Sequence, residues 1–477
     1  MKNIYKTIYN TVLVCLLLLS ATSCEDFLEA PLPPEKITTD KVFGSAGTLD
    51  MAMLGVYRKA SIFYGAGQFV YRADQLADNL CANPPLSSDI LSTSQYEANN
   101  SDELSYAWTQ PYSAIFEANT MLLNLPTATA KLTTEERDQY KAQNLFLRAL
   151  MYFELVRLYG DVPLIMEPDP TVSKSVARTP KAEVYASIID DLKEAMDLLP
   201  ATNISGLDAR RCANKYVAEA LLARVYLSMG DYTNAETAAT DVINSGNYSL
   251  ETDLAAVLMR RSTEIIFAMD GTMMDFPNSC FYYGLYGMPN FYQDFPEAYA
   301  WDYSGWGCLT QSAIDEYEVD DQRFTAWYTY SAEENVFSIK YPYNIFYQEM
   351  ADADPQDFCV LRLSEMYMIR SEAKARKSTP DLQGAAEDLN LVRSTHGGLP
   401  GISAGSQSEM ITALEHENRV EFMCEGHRWY DLVRTNRADA VLSQLDYKTG
   451  WAAHKVLLPI PAKELINNTN LEPNPGY

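Results

Sequence analysis

Histidine is scarce in this chain, four in 477 residues, and none of the eight cysteines stands at CxxC or Cys/His spacing. A zinc site needs such clusters, so none is indicated. No DxDxDG run is present for calcium, and no metal or other cofactor is expected. Basic residues are also short: 37 Lys and Arg face 64 Asp and Glu, a formal net charge of −27. That balance argues against nucleic acid or an anionic membrane surface as the main partner, since both attract Lys and Arg. Past the N-terminus, no run is long and apolar enough to span a bilayer.

What is present begins with a processing signal. Lys2 and Lys6 precede the apolar run Val12 to Leu19, and Ala21-Thr22-Ser23 leads into Cys24. The apolar core is too short to span, so residues 1–23 read as a secretory signal peptide. The ending resembles the lipobox of bacterial lipoproteins, with Cys24 as the lipidated first residue of the mature chain. The acidic, proline-rich stretch 25–36 then suits an extended tether. An exported location permits disulfides, and Cys280 with Cys308 is the expected pair because both flank one loop-rich segment.

Hydrophobic residues make up 47% of the chain, enough for a sizeable core. From Cys212 to Asn244, Val217, Ala220, Leu221 and Val225 recur at helical spacing, Gly230-Asp231-Tyr232 interrupts, and Ala235, Ala238, Ala239, Val242 and Ile243 resume. This predicts an antiparallel helical hairpin. ARVYLSMGDYTNA within it resembles the core of a tetratricopeptide repeat, a unit that needs stacked companions to bury its face. Further helical patterns run from Pro111 to Leu125, from Thr133 to Gly160, from Thr179 to Leu199, and again after Asp357. The expected organisation is one domain over 24–477. Helical pairs occupy about 111–246 and 358–445, and loop-rich, ligand-facing regions occupy about 65–110 and 249–357.

The second loop-rich region holds the strongest binding signal. From Phe281 to Trp306 the chain is crowded with aromatic residues, among them Tyr299, Trp301, Tyr303 and Trp306, with Gln293, Asp294 and Asp302 interspersed. Sugar rings stack their C–H faces on aromatic planes while their hydroxyls need fixed polar partners. Other readings stand beside a glycan site: an aromatic mini-core, or a contact with another protein. The carboxylates Glu417, Glu421, Glu425 and Asp431 lie near Arg419, Arg428 and Arg434, which predicts neutralised structural ion pairs rather than acid/base catalysis.

Four segments, FLRALMYFELVRLYGDVPLI (146–165), LRLSEMYMIRSEAKAR (361–376), DLNLVRSTHGG (388–398) and ENRVEFMCEGHRWYDLVR (417–434), resemble in order and spacing the SusD family, also called RagB/SusD. That resemblance implies a mainly α fold, a superhelix of tetratricopeptide-like hairpins, here with an irregular, partly β, aromatic-rich insert. It implies a non-catalytic outer-membrane lipoprotein facing the cell exterior, anchored through lipid on Cys24. The implied ligand is an oligosaccharide and the implied partner a SusC-like TonB-dependent outer-membrane transporter. A peptide ligand and, further off, a glycoside-cleaving activity are the alternatives. By position in the family, the stretch holding Asp74, Asp78, Asn79, Tyr96 and Trp108 corresponds to N-terminal loops that contribute to glycan sites. Asp74, Asp78 and Asn79 serve there either as sugar partners or as helix caps.

Overall fold

The protein is described from a computed structural model, over residues 38–64, 69–81, 90–98, 102–202, 210–270, 308–330, 335–340 and 357–477. Its frame is a run of helices. They are α1 (Ala46–Tyr64), α2 (Phe69–Leu76), then after strand β1 (Leu80–Cys81) α3 (Asp102–Asn124), α4 (Thr134–Tyr159), α5 (Lys181–Leu198), α6 (Lys215–Met229) and α7 (Tyr232–Asn244). Contacts run α1 to α3, α3 to α4, α4 to α5, α5 to α6 and α6 to α7. Local chemistry sets the ends. Thr133 and Glu136 form a reciprocal capping box at the start of α4, satisfying two backbone donors that the helix cannot. Gly230, with φ of +77°, turns α6 into α7 in the left-handed conformation that glycine adopts without a Cβ penalty. The expected hairpin is therefore present.

The array then skips more than a hundred residues. Helix α7 packs directly on a helix that begins at Leu363, so the chain between them is an insertion into a continuous stack. It leaves through β2 (Ile265–Met269) and includes β3 (Cys308–Leu309), a short helix α8 (Gln322–Trp327) and the hairpin of β4 (Tyr328–Tyr330) with β5 (Val336–Ser338). It returns through β6 (Phe358–Arg362), which runs straight into α9 (Leu363–Arg376). Strands β2 and β6 pair antiparallel, from Ile265 opposite Arg362 to Met269 opposite Phe358, and make a stem. At its mouth Arg211 holds Asp270 at 2.7 Å and Asp357 at 2.6 Å. The stack resumes with α10 (Leu382–Val392), α11 (Gln407–Glu421) and α12 (His427–Arg434). Its core is mostly Leu, Ala, Val and aromatic side chains, with Phe146, Phe153, Tyr152 and Phe267 almost wholly buried.

One helix starts earlier than its proline suggests. Pro111 reads as a first-turn residue in the sequence, but it sits inside α3, which begins at Asp102. Proline lacks the N–H that would reach back one turn, and the helix runs through it nonetheless. The extra turns carry Trp108 onto the packed face of α3.

Candidate functional site

The buried charges separate frame from surface. At the seam where the insertion meets α11, Arg362 reaches Glu421 at 2.6 Å, Glu264 at 2.9 Å and Glu425 at 2.9 Å. Arg323 reaches Glu417 at 2.6 Å, Asp321 at 2.8 Å and Glu421 at 3.0 Å. Lys340 adds a bond to Glu425 at 2.7 Å. The predicted structural role of these carboxylates is what the contacts show, although the partners differ: Arg323, Lys340 and Arg362 come from the insertion and β6. Helix α11 ends at Glu421, and a turn with positive φ at Cys424 and Gly426 swings Glu425 onto Arg362. Arg434 pairs with Glu372 and Asp431, Arg148 with Asp191, Arg224 with Glu365, and Arg370 with Asp388.

His396, which the sequence marks only as part of a helix end, lies at the centre of this seam. Its Nδ1 is 2.8 Å from Glu421 and its Nε2 is 3.1 Å from Glu264, all three side chains being fully buried. Burial is the largest influence on the imidazole and pulls its pKa down, but Glu421 and Glu264 override it and raise it to about 10. Burial likewise opposes ionisation of Glu264, yet His396 and Arg362 bring it down to about 2. Although these three groups are spaced like metal ligands, their carboxylates already face an imidazolium and a guanidinium of the chain itself. They form an internal salt cluster.

The N-terminal candidates belong to the same frame, which corrects the expectation that they face ligand. Asp74 is buried and accepts from Asn79 Nδ2 at 2.7 Å and from the Gly426 N–H at 2.8 Å. Burial lifts its carboxyl to about 7, opposed mainly by the bond from Asn79. Asp78, also buried, pairs with Arg428 at 2.9 Å and Arg419 at 3.0 Å. Burial alone would raise its pKa, but the two guanidiniums override that and lower it. Asn79 accepts from Arg419 Nε at 3.0 Å. The Tyr96 hydroxyl donates to the Lys455 carbonyl at 2.8 Å inside the core. Trp108 packs edge-on to Tyr159 with ring centroids 4.9 Å apart. The physical reason is common to all five: segments distant in sequence supply their partners, and water is excluded. Tyr299, Trp301, Asp302, Tyr303 and Trp306 lie outside the described residues, as do Cys24 and Cys280.

Two of the concavities among the described residues bear on ligand binding, and both offer less than a sugar site needs. One, about 70 Å³, is walled by ion-paired Glu154, Arg157, Arg224, Glu365 and Glu372 and has room only for a few waters. The other, about 540 Å³ and open, is lined by Glu316, Glu318, Arg393, Ile402 and His416 and presents no Trp, Tyr or Phe face. Glu316 and Glu318 are engaged by Arg419, Arg393 and His416. An exposed ring does occur on the insertion: Tyr330 on β4, edge-on to Phe324 at 6.3 Å.

The informative geometry is a short strand pair. Strands β1 and β3 pair antiparallel, with Leu80 opposite Leu309 and Cys81 opposite Cys308. Residues 82–89 follow Cys81, and residues 271–307 precede Cys308. The two regions that the sequence marks as loop-rich thus join the frame at one rung. The register is pinned by Thr310, whose N–H donates to the Asn79 carbonyl at 2.9 Å and whose hydroxyl donates to the Asp78 carbonyl at 2.7 Å. Arg419 also donates to that Asp78 carbonyl at 3.2 Å.

Comparison with known proteins gives consistent results across the chain. A family model described as "Starch-binding associating with outer membrane" matches residues 26–227. A second, described as "SusD family", matches residues 346–477, and together they cover well over half of the sequence. SusD-like protein P2 of Formosa agariphila is 28% identical over 97% of this chain and 98% of its own. Among solved structures, a laminarin-binding SusD-like protein superposes with a TM-score of 0.72 at 26% identity, covering 91% of this chain and all of the other. Surface glycan-binding protein A from Bacteroides fluxus superposes with a TM-score of 0.73 at 22% identity, again over 91% of this chain, and at that distance speaks for the fold alone.

Proposed function

The chain belongs to the SusD family, and on that premise we propose that it is a non-catalytic glycan-binding lipoprotein of the outer membrane, exposed to the cell exterior. Residues 1–23 are its export signal, and 24–477 form a single SusD-like domain. Cys24 carries the lipid, and captured oligosaccharide passes to a SusC-like TonB-dependent transporter.

The observation that carries this reading is the β1/β3 rung, which roots the two loop-rich regions side by side on a frame whose buried charges are spent on one another. Recognition then falls to groups beyond the rung. Trp301 and Trp306 supply stacking faces, Tyr299 and Tyr303 flank them, and Asp302 accepts from sugar hydroxyls. The laminarin-binding relative supports the ligand class. The carboxylates of the seam, Glu264, Glu417, Glu421 and Glu425, are buried against arginine, lysine and histidine, which suits structure rather than acid/base cleavage.

Calorimetric titration of the purified full chain with a panel of oligosaccharides, laminarin fragments included, tests the proposal. Trp301→Ala and Trp306→Ala should each weaken binding about fivefold, the worth of one stacked ring, with the melting midpoint unchanged. Unaltered affinity in both variants removes the site assignment. New reducing ends released from any polysaccharide in the panel would instead make the protein an enzyme.

A further inference from the structure

Cys81 and Cys308 face each other directly across the two strands that join the N-terminal part of the chain to the insertion. We propose that these two cysteines form a cross-strand disulfide in the mature protein, so that the rung between β1 and β3 is a covalent staple. Directly opposed residues of an antiparallel pair have Cα atoms about 4.5–5.5 Å apart. That lies within the window of about 4.4–6.8 Å that a disulfide spans without backbone movement. Both residues are thiols in this structure, and the Cys308 thiol already leans onto its neighbour, donating to the Cys81 carbonyl at 3.2 Å.

The register does not depend on the sulfurs. Thr310 fixes it through Asn79 and Asp78, and Arg419 buttresses the Asp78 carbonyl from α11. A slip of one residue would break those bonds and leave the two cysteines on opposite faces of the pair. This geometry replaces the expected partnership of Cys308 with Cys280. Both residues are buried, and the Cys308 thiol is pushed well above the ordinary range, first by the Cys81 thiol beside it and then by burial. A protonated, buried thiol is a poor nucleophile, so the link forms while the chain is still folding.

The chemistry is thiol–disulfide exchange with a small-molecule or protein disulfide donor. One cysteine, as its thiolate, attacks the donor's S–S bond, forming a mixed disulfide and releasing one donor thiol. The other cysteine, deprotonated in turn, displaces the second donor thiol. The chain loses two protons and two electrons, and the donor gains them. In the cell the proposal rests on the exported location argued above, where such donors persist. The resulting loop, closed between residues 81 and 308, is long, which is the case in which restricting the unfolded chain has most effect.

The test is a peptide mass map, run without reductant, of the full chain purified from its native membrane and alkylated on denaturation. The expected product is a single linked peptide containing Cys81 and Cys308, lighter by two hydrogens than the reduced pair. Reduction should lower the melting midpoint by about 3–6 °C in the unsubstituted protein and leave that of Cys81→Ser/Cys308→Ser unmoved. Recovery of both residues as alkylated thiols, or of Cys308 linked to Cys280, overturns the proposal. Refolding the purified chain in oxidised and reduced glutathione asks the same question independently of cellular location. A linked peptide there upholds the staple even if no glycan binds, and thiols at both positions after refolding overturn it even if glycan does.

Discussion

The seam around Glu421 and the rung at Cys81 and Cys308 both join the insertion to the frame, and they do so by opposite means. At the seam, groups from the insertion, β6, α11 and the end of α10 meet as buried ions: Arg323, Arg362 and His396 around Glu264, Glu417 and Glu421. At the rung there are four uncharged strand residues, held by backbone and hydroxyl bonds and by Arg419 from outside. A buried ion network tolerates almost no displacement, because a charge drawn away from its partner is left without water. A short neutral strand pair leaves the adjoining sequence free to vary. The fold thus fixes where the insertion begins and ends with charge.

Breaking the seam should have the largest effect. Glu421→Gln keeps the shape but leaves Arg362, Arg323 and His396 short of a counter-charge, and we expect a loss of about 3–5 kcal/mol in denaturant unfolding. A loss under 1 kcal/mol would mean that the network contributes little to holding the insertion.

Acid and alkali probe the same network more gently. The His396 pKa rises from its ordinary 6.5 to about 10, so its contribution is complete below about pH 6.5 and is lost as pH climbs through 10. Glu264 falls from 4.5 to about 2, so its contribution is present above about pH 4.5 and is lost as pH drops through 2. Asp74, raised to about 7, favours the folded state less as pH passes from 3.8 to 7. Taken together, these three groups put the maximum of unfolding free energy at about pH 4, where Glu264 is nearly complete and Asp74 has only begun to count against the fold, with a decline on both sides. In a His396→Gln variant the decline through pH 10 should flatten. An unchanged alkaline limb would sever His396 from the seam's stability.

The smallest effect belongs to the exposed frame. Lys141 and Glu194 pair across α4 and α5 with each side chain over two-fifths exposed. Solvent screens such pairs, so Lys141→Ala should cost less than about 1 kcal/mol. A loss comparable to that at Glu421 would erase the distinction between buried seam and solvated surface.

How far each part was legible in the sequence follows from the same contrast. Periodicity and caps are local, so the hairpin turning at Gly230, the capping box at Thr133 and the strand in EIIFAM could be read directly. The partners of Asp74 and Asp78 were hidden because they lie hundreds of residues away, at Gly426, Arg419 and Arg428. Read alone, DQLADN is a run of polar groups suited to sugar, and only the fold reveals that arginines claim it. Trp108 was misplaced because Pro111 suggested a helix start. His396 had one signal, its place just before two glycines, and nothing local tells that Glu264 would meet it.

The central claim is that stability resides in the charged frame and recognition in the aromatic stretch that it carries. The most direct measurement is glycan titration of Glu421→Gln and of Trp301→Ala/Trp306→Ala beside the unsubstituted chain, at a temperature where all three are folded, with melting curves in parallel. We predict that Glu421→Gln binds within about twofold of normal affinity but melts markedly earlier, while the tryptophan pair melts normally and binds at least tenfold more weakly. A Glu421→Gln protein that is folded yet fails to bind, together with a tryptophan variant that binds normally, would contradict the account.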